Sequence, residues 1–182
     1  MSTPLDATYR DRIESLERML YELRQQLASS LSTIERPEGS FSFLACRIGA
    51  SHAALPLDRV EEVVPMPRLE PLPEAPAWVA GVMNLRGDSV PVLDVCARIA
   101  RSGRDVELSD LIVVCVIEGR SVGLVVQDVY GVSEADASDL QEAGDVPHGP
   151  YLVGILERED NSYHLFSLEC LIGLSDIPEE EG

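Results

Sequence analysis

The sequence predicts a mainly β protein: two small fused β-barrels sharing one hydrophobic core, preceded by a long N-terminal helix. Three observations carry this. Apolar residues recur at heptad spacing up to residue 36, and from Phe41 they give way to short segments separated by Gly, Pro, Asn and Asp. Those segments number about nine or ten, more than one small barrel needs. Apolar residues make up 45% of the chain but aromatics only 5%, so the core must be built from Val, Leu, Ile and Ala.

The helix is expected over residues 1–36, its regular part from residue 5. Ile13, Leu16, Leu20, Leu23 and Leu27 step by three and four, the spacing of an a/d seam, and Ile34 continues it. Arg, Glu and Gln lie between, with Glu14 and Arg18 four residues apart. Pro37 and Gly39 end the element. A helix of this length spans roughly 45 Å and is not stable alone in water. A strict a/d stripe is narrower than a core-facing one, which favours self-association or docking on a partner helix over packing in cis.

The β part is expected over residues 37–175. Phe41–Ile48 and Ala53–Pro65 read as strands around a turn at Gly49–Ser51. Ser89–Val95 is a strand whose Pro91 suggests an edge or a bulge. Leu111–Ile117 with Ser121–Val129, and Leu152–Arg158 with Tyr163–Leu168, read as two hairpins. Helical turns are expected at Pro76–Val82, Asp94–Ala100 and Leu168–Leu174. Residues 176–182 form an acidic tail expected to be disordered. No internal sequence repeat is evident.

The net charge of −18 repels nucleic acid and anionic lipid, so neither is an expected partner. Residues 37–182 carry −17 of it. No apolar run is long enough to span a membrane, and no secretory signal is visible; a cytoplasmic protein without membrane insertion is expected. Cys46, Cys96, Cys115 and Cys170 form no CxxC pair, and His52, His148 and His164 show no ligand spacing to them. Free thiols and no metal site are expected. No P-loop, GxGxxG or HExxH is present, and no nucleophile sits beside a base in a recognisable signature, so neither catalysis nor a cofactor is expected.

The run Pro76-Ala77-Trp78-Val79-Ala80-Gly81-Val82-Met83-Asn84-Leu85-Arg86-Gly87-Asp88-Ser89-Val90-Pro91-Val92-Leu93-Asp94 closely resembles the signature of CheW-like domains, an Asn-Leu-Arg-Gly turn followed by a strand ending Pro-Val-x-Asp. Pro56–Val63, Ser121–Val129 and Tyr151–Gly154 resemble further family elements in the right order, with Gln127 standing where the family often has Asp. The resemblance covers residues 40–174 and implies two SH3-like five-stranded β-subdomains around a shared core. It also implies a non-enzymatic adaptor in a bacterial chemosensory array, recruited to the membrane-associated array. The implied partners are chemoreceptor cytoplasmic tips and the regulatory domain of a CheA-type histidine kinase.

On this resemblance Arg86 is the leading protein-binding candidate. It sits in a turn that presents its side chain outward, and its planar fork suits carboxylates and carbonyls on a partner. Asn84 and Gly87 belong to the same turn. Strand alternation places Val60 and Glu62 on one face, with Glu62 contacting a receptor or pairing with Arg86 to shape a groove, and Val60 lining that groove or sitting in the core. Gly81 and Gly87 shape the backbone. Val132 corresponds by strand order to a groove position or is core. Trp78, the only Trp, reads better as packing than as an interface anchor. The rival readings are an oligomeric structural or localisation protein that binds proteins without receptor coupling, and a small-molecule or catalytic barrel.

Overall fold

The computed structural model describes residues 36–100, 104–143 and 151–172. The expected N-terminal helix with its seam Ile13–Leu27, and the expected tail at 176–182, lie outside the described residues.

Eleven strands are present among the described residues. The chain begins with β1 (Ser40–Ile48) and β2 (Ser51–Pro56), then passes through β3 (Val60–Pro65), β4 (Val79–Leu85), β5 (Asp88–Asp94), β6 (Leu111–Ile117) and β7 (Arg120–Val126). It continues with β8 (Asp128–Asp136), β9 (Leu140–Gln141), β10 (Leu152–Arg158) and β11 (Asn161–Phe166). Two short helices, α1 (Val95–Ala100) and α2 (Leu168–Ile172), follow β5 and β11. The strands form two mixed sheets rather than two of five: six in the order β8-β1-β2-β11-β10-β9 and five in the order β3-β6-β7-β5-β4.

The sixth strand has a counterpart in the smaller sheet. There Glu70, in the chain between β3 and β4, exchanges two 2.8 Å backbone hydrogen bonds with Val82 of β4. This single bridge occupies the place of β9, which pairs with β10. The correspondence runs through both units. β3, β6, β7, β5 and β4 of one match β8, β1, β2, β11 and β10 of the other, including the parallel pairs β5–β7 and β2–β11. Asp94 caps α1 by accepting from the Ala97 N–H at 3.0 Å, and Ser167 caps α2 by accepting from the Cys170 N–H at 3.3 Å. The fold is a structural repeat in permuted order, which is why the linear sequence displays none.

Side-chain alternation sends the two faces of each sheet into different clusters. Phe43, Ala45, Ala54, Ala135, Leu140, Leu156 and Leu165 draw on all six strands of the larger sheet. Met83, Val90, Val92, Ile112, Val114 and Val125, with Val64 against them, draw on all five of the smaller. A cluster fed by every strand requires each sheet to curl. A third and larger cluster lies between the units, with Leu44, Cys46 and Leu55 from one and Val113, Cys115 and Leu124 from the other. This is the expected shared core.

Four expectations need correction. Ser121–Val129 is not one strand, because β7 ends at Val126 and β8, which begins at Asp128, belongs to the other sheet. Ala53–Pro65 is not one strand: a 3-10 turn at Leu57–Arg59 carries the chain from one sheet to the other. Pro76–Val82 is not helical but a turn leading into β4, and Trp78 is half-buried against the shared core with the Arg98 guanidinium 4.9 Å over its ring. Pro91 lies in β5, which is not an edge strand, though a bulge on β4 lies beside it, opposite Val92 and Leu93. It is tolerated because Val82, its partner on β4, directs both backbone groups to Glu70, while pairing with β7 starts only at Val92. No ladder donor is missed there.

Burial pushes the Cys46 and Cys115 thiols up from 9.0 to about 12, their proximity adding to the effect at Cys46. The folded state therefore holds protons that the unfolded chain releases above pH 9. The stability this contributes is complete below that pH and is lost as pH rises toward 12. Denaturant titrations under reductant are expected to give falling stability over that window. In the native protein at neutral pH, Ellman's reagent is expected to reach half-buried Cys170 and to spare Cys46 and Cys115.

Candidate functional site

The β4–β5 hairpin turns on two residues. Leu85 pairs with Asp88, leaving Arg86 and Gly87 as the loop, with φ of 52° and 95°. Two positive φ values in a two-residue loop define a type I′ turn, whose twist matches the strands it joins. The Asn84 side-chain oxygen accepts from the Gly87 N–H at 3.1 Å and braces the turn. Gly87 suits its position. Arg86 does not: a left-handed conformation costs an L-residue with a side chain roughly 1–2 kcal/mol, and Gly, Asn or Asp is the usual occupant.

The Arg86 side chain is 72% exposed, and its Nη2 donates to Oε2 of Glu62 at 3.0 Å. The expected pairing of these residues is present. Glu62 lies on β3 and Arg86 at the end of β4, the two outer strands of the smaller sheet, so the ion pair ties one edge to the other. The second Glu62 oxygen, Oε1, is buried and makes no hydrogen bond among the described residues. Gly81 has φ of 147°, and a Cβ there would stand 2.6 Å from the Glu70 carbonyl oxygen. It permits the backbone contact that closes the sheet beneath this hairpin.

Val60 and Glu62 do not share a face. A β-bulge separates them, Val60 lying opposite Cys115 and Glu62 opposite Val114. The extra residue reverses the alternation. Val60 therefore packs, half-buried, at the margin of the shared core, while Glu62 points the other way, toward the interior of the smaller unit.

Val132 lies on β8, the outer strand of the other sheet, opposite Leu44, and is 58% exposed. It is neither core nor joined to Arg86 and Glu62 by any contact described. Its setting repeats that of β3. Val129 lies opposite Cys46, a bulge follows, and Val132 comes next, just as Val60, a bulge and Val63 follow one another on β3. Val60 and Val129 both pack half-buried against the shared core, and Val63, like Val132, is exposed. Each outer strand thus carries two valines on the side of the shared core, one half-buried and one exposed. Sequence reasoning passed over Val63 and Val129. The signal was present in the matching runs Val60-Glu61-Glu62-Val63 and Val129-Tyr130-Gly131-Val132.

The candidates for partner binding are these valines and the ion-paired, exposed Arg86. Among the described residues no helix is long and apolar enough to cross a membrane.

The fold is a two-unit β domain, two mixed sheets about a shared core. The family model described as the CheW-like domain matches residues 42–175, and the chain belongs to that family. The chemotaxis protein CheW of Rhizobium meliloti (strain 1021) is 29% identical over 147 residues, which cover 79% of this chain and 91% of that protein. Protein PilI of Pseudomonas aeruginosa is 30% identical over 143 residues, covering 74% and 78%. The crystal structure of the scaffolding protein TtCheW from Thermoanaerobacter tengcongensis matches with a TM-score of 0.66 over 76% of this chain and 91% of its own. At 24% identity this likeness establishes the fold alone.

Proposed function

We propose that the protein is a non-enzymatic adaptor of a bacterial chemosensory system, coupling a chemoreceptor cytoplasmic tip to the regulatory domain of a CheA-type histidine kinase in the cytoplasm. The observation that carries the reading is the ion pair that holds an exposed arginine on the β4–β5 turn. Arg86 holds a left-handed conformation that Asn or Gly would adopt freely, and its partner Glu62 keeps a buried oxygen unpaired. The left-handed conformation alone does not single out this turn, since Glu118 takes the same place in the β6–β7 turn with φ of 50°. A guanidinium fork pre-positioned at the surface by a carboxylate from the opposite edge strand suits the carbonyls and carboxylates of a partner.

In this reading a receptor helix lays an apolar stripe on Val60, Val63, Val129 and Val132. The free N–H groups of Arg86 donate to carbonyls or carboxylates along the helix. Glu62 orients the guanidinium rather than meeting the partner. Family membership and the chemotaxis relatives support this function over the rival structural role. The test is co-sedimentation with a receptor cytoplasmic fragment: wild type is expected in the pellet and Arg86→Ala in the supernatant at an unchanged melting temperature. Equal pelleting of the two would refute the site.

The heptad seam Ile13, Leu16, Leu20, Leu23, Leu27 supplies a second valence, by joining two copies or engaging a partner helix. Sedimentation equilibrium of the Leu20→Asp/Leu23→Asp double variant is expected to give a monomer where wild type self-associates, with the β domain still folded. A surviving dimer would remove the seam from the account.

A further inference from the structure

Leu108 is 89% exposed, the most exposed large apolar side chain among the described residues. A single exposed leucine is ordinary on a flexible surface. This one stands at the apex of a turn fixed from several directions. The Asp110 N–H donates to the Glu107 carbonyl at 3.0 Å, and the Glu107 N–H donates to Asp110 Oδ2 at 2.8 Å. The Ser109 hydroxyl donates to Glu107 Oε2 at 3.3 Å. Arg104 pairs with both Glu107 and Asp110, and Asp110 is only 3% exposed. A buried, ion-paired carboxylate is thus used to hold a surface turn whose apex residue touches almost nothing. That arrangement pre-orders an apolar side chain and spares a docking partner the entropy of fixing it.

The turn enters β6 at Leu111, next to Val126 and one residue from the level of Asp94 on β5. Arg86 lies beyond the other end of β5, which begins at Asp88. At about 3.3 Å per residue the two features stand roughly 20 Å apart along the strand. A partner seated on Leu108 therefore leaves the Arg86 hairpin free. The flanking Asp105 and Glu107 are exposed, and Arg104 is shared between Glu107 and Asp110, so the segment from Arg104 to Asp110 sets three carboxylates against one guanidinium and the knob carries an anionic rim. A second copy of this chain, with 32 acidic residues against 14 Arg, is a poor electrostatic match.

We infer that Leu108 is the anchor for the second partner of the adaptor, inserting into an apolar socket rimmed by Arg or Lys on the kinase regulatory domain. This rests on the adaptor reading above and adds to it the residue, the face and the chemistry of the socket.

The test is calorimetric titration of the full chain with the regulatory domain of the CheA-type kinase from the same organism, and separately with the receptor fragment. Leu108→Asp is expected to weaken kinase-domain binding by about tenfold or more, as loss of an anchoring apolar contact does. It should leave receptor affinity and melting temperature unchanged. Leu108→Met should stay within about twofold of wild type, since a flexible apolar side chain still fills the socket. Added salt should weaken the kinase complex. Wild type that binds neither protein overturns the adaptor reading and this inference with it. Wild type that binds both, with Leu108→Asp indistinguishable from it, overturns this inference alone. Loss of receptor rather than kinase binding in Leu108→Asp also overturns it.

Discussion

Gly81→Ala is expected to lower the unfolding free energy by about 3 kcal/mol or more, since it adds a backbone clash to an unfavourable φ. The new Cβ would meet the Glu70 carbonyl oxygen at 2.6 Å and the Leu69 Cβ at 3.2 Å. Neither neighbour is the far end of a flexible side chain. Relief requires Glu70 to move, and Glu70 is bound to Val82 through both its backbone groups. The bridge that closes the smaller sheet would therefore be strained or lost. Gly87→Ala is the control. Gly87 also has positive φ, at 95°, but a Cβ there meets nothing within 4 Å, so only the conformational cost of about 1 kcal/mol remains. Urea titrations of the pair measure the difference. Equal midpoints would show that Glu70 yields freely and that the closure is not a fixed part of the fold.

Arg86→Asn is expected to separate stability from binding. Asn adopts the left-handed conformation more readily than Arg and suits the first loop position of a type I′ turn, a gain of about 0.5–1 kcal/mol. The lost ion pair offsets little of this, since Arg86 is 72% exposed and exposed pairs contribute about 0–1 kcal/mol. The melting temperature should hold or rise slightly. Affinity for the receptor fragment should fall about tenfold or more, because Asn has neither the reach nor the multi-donor fork of Arg. Thermal unfolding paired with a binding titration checks both halves. A variant that melts lower and binds normally would reverse the assignment, making Arg86 structural.

Much of this was legible in the sequence, for identifiable reasons. Val and Ile run continuously through Leu111–Val116 because β6 is buried on both faces, so its strand assignment needed no context. Asn84-Leu85-Arg86-Gly87 marked its own turn through chemistry local to four residues. Gly81 was readable as a backbone residue, and its close approach to Glu70 bears that out. What failed depended on non-local partners. The bulge on β3 is a property of its pairing with β6, and nothing in Val60-Glu61-Glu62-Val63 announces it. Alternation consequently placed Val60 and Glu62 together. Pro91 looked like an edge marker because the bridge that redirects the hydrogen bonds of Val82 comes from a residue twelve positions before it, Glu70. The structural repeat was hidden by its permuted order and by divergence at matched sites, Asp94 against Ser167 as helix caps for instance.

One chain is expected to hold two partners through two separate faces. Sedimentation velocity on an equimolar mixture of the adaptor, the receptor fragment and the kinase regulatory domain addresses this most directly. The expected result is a ternary species with wild type, a kinase–adaptor species alone with Arg86→Ala, and a receptor–adaptor species alone with Leu108→Asp. Competition between the two partners for wild type, with no species larger than a binary complex, would contradict it.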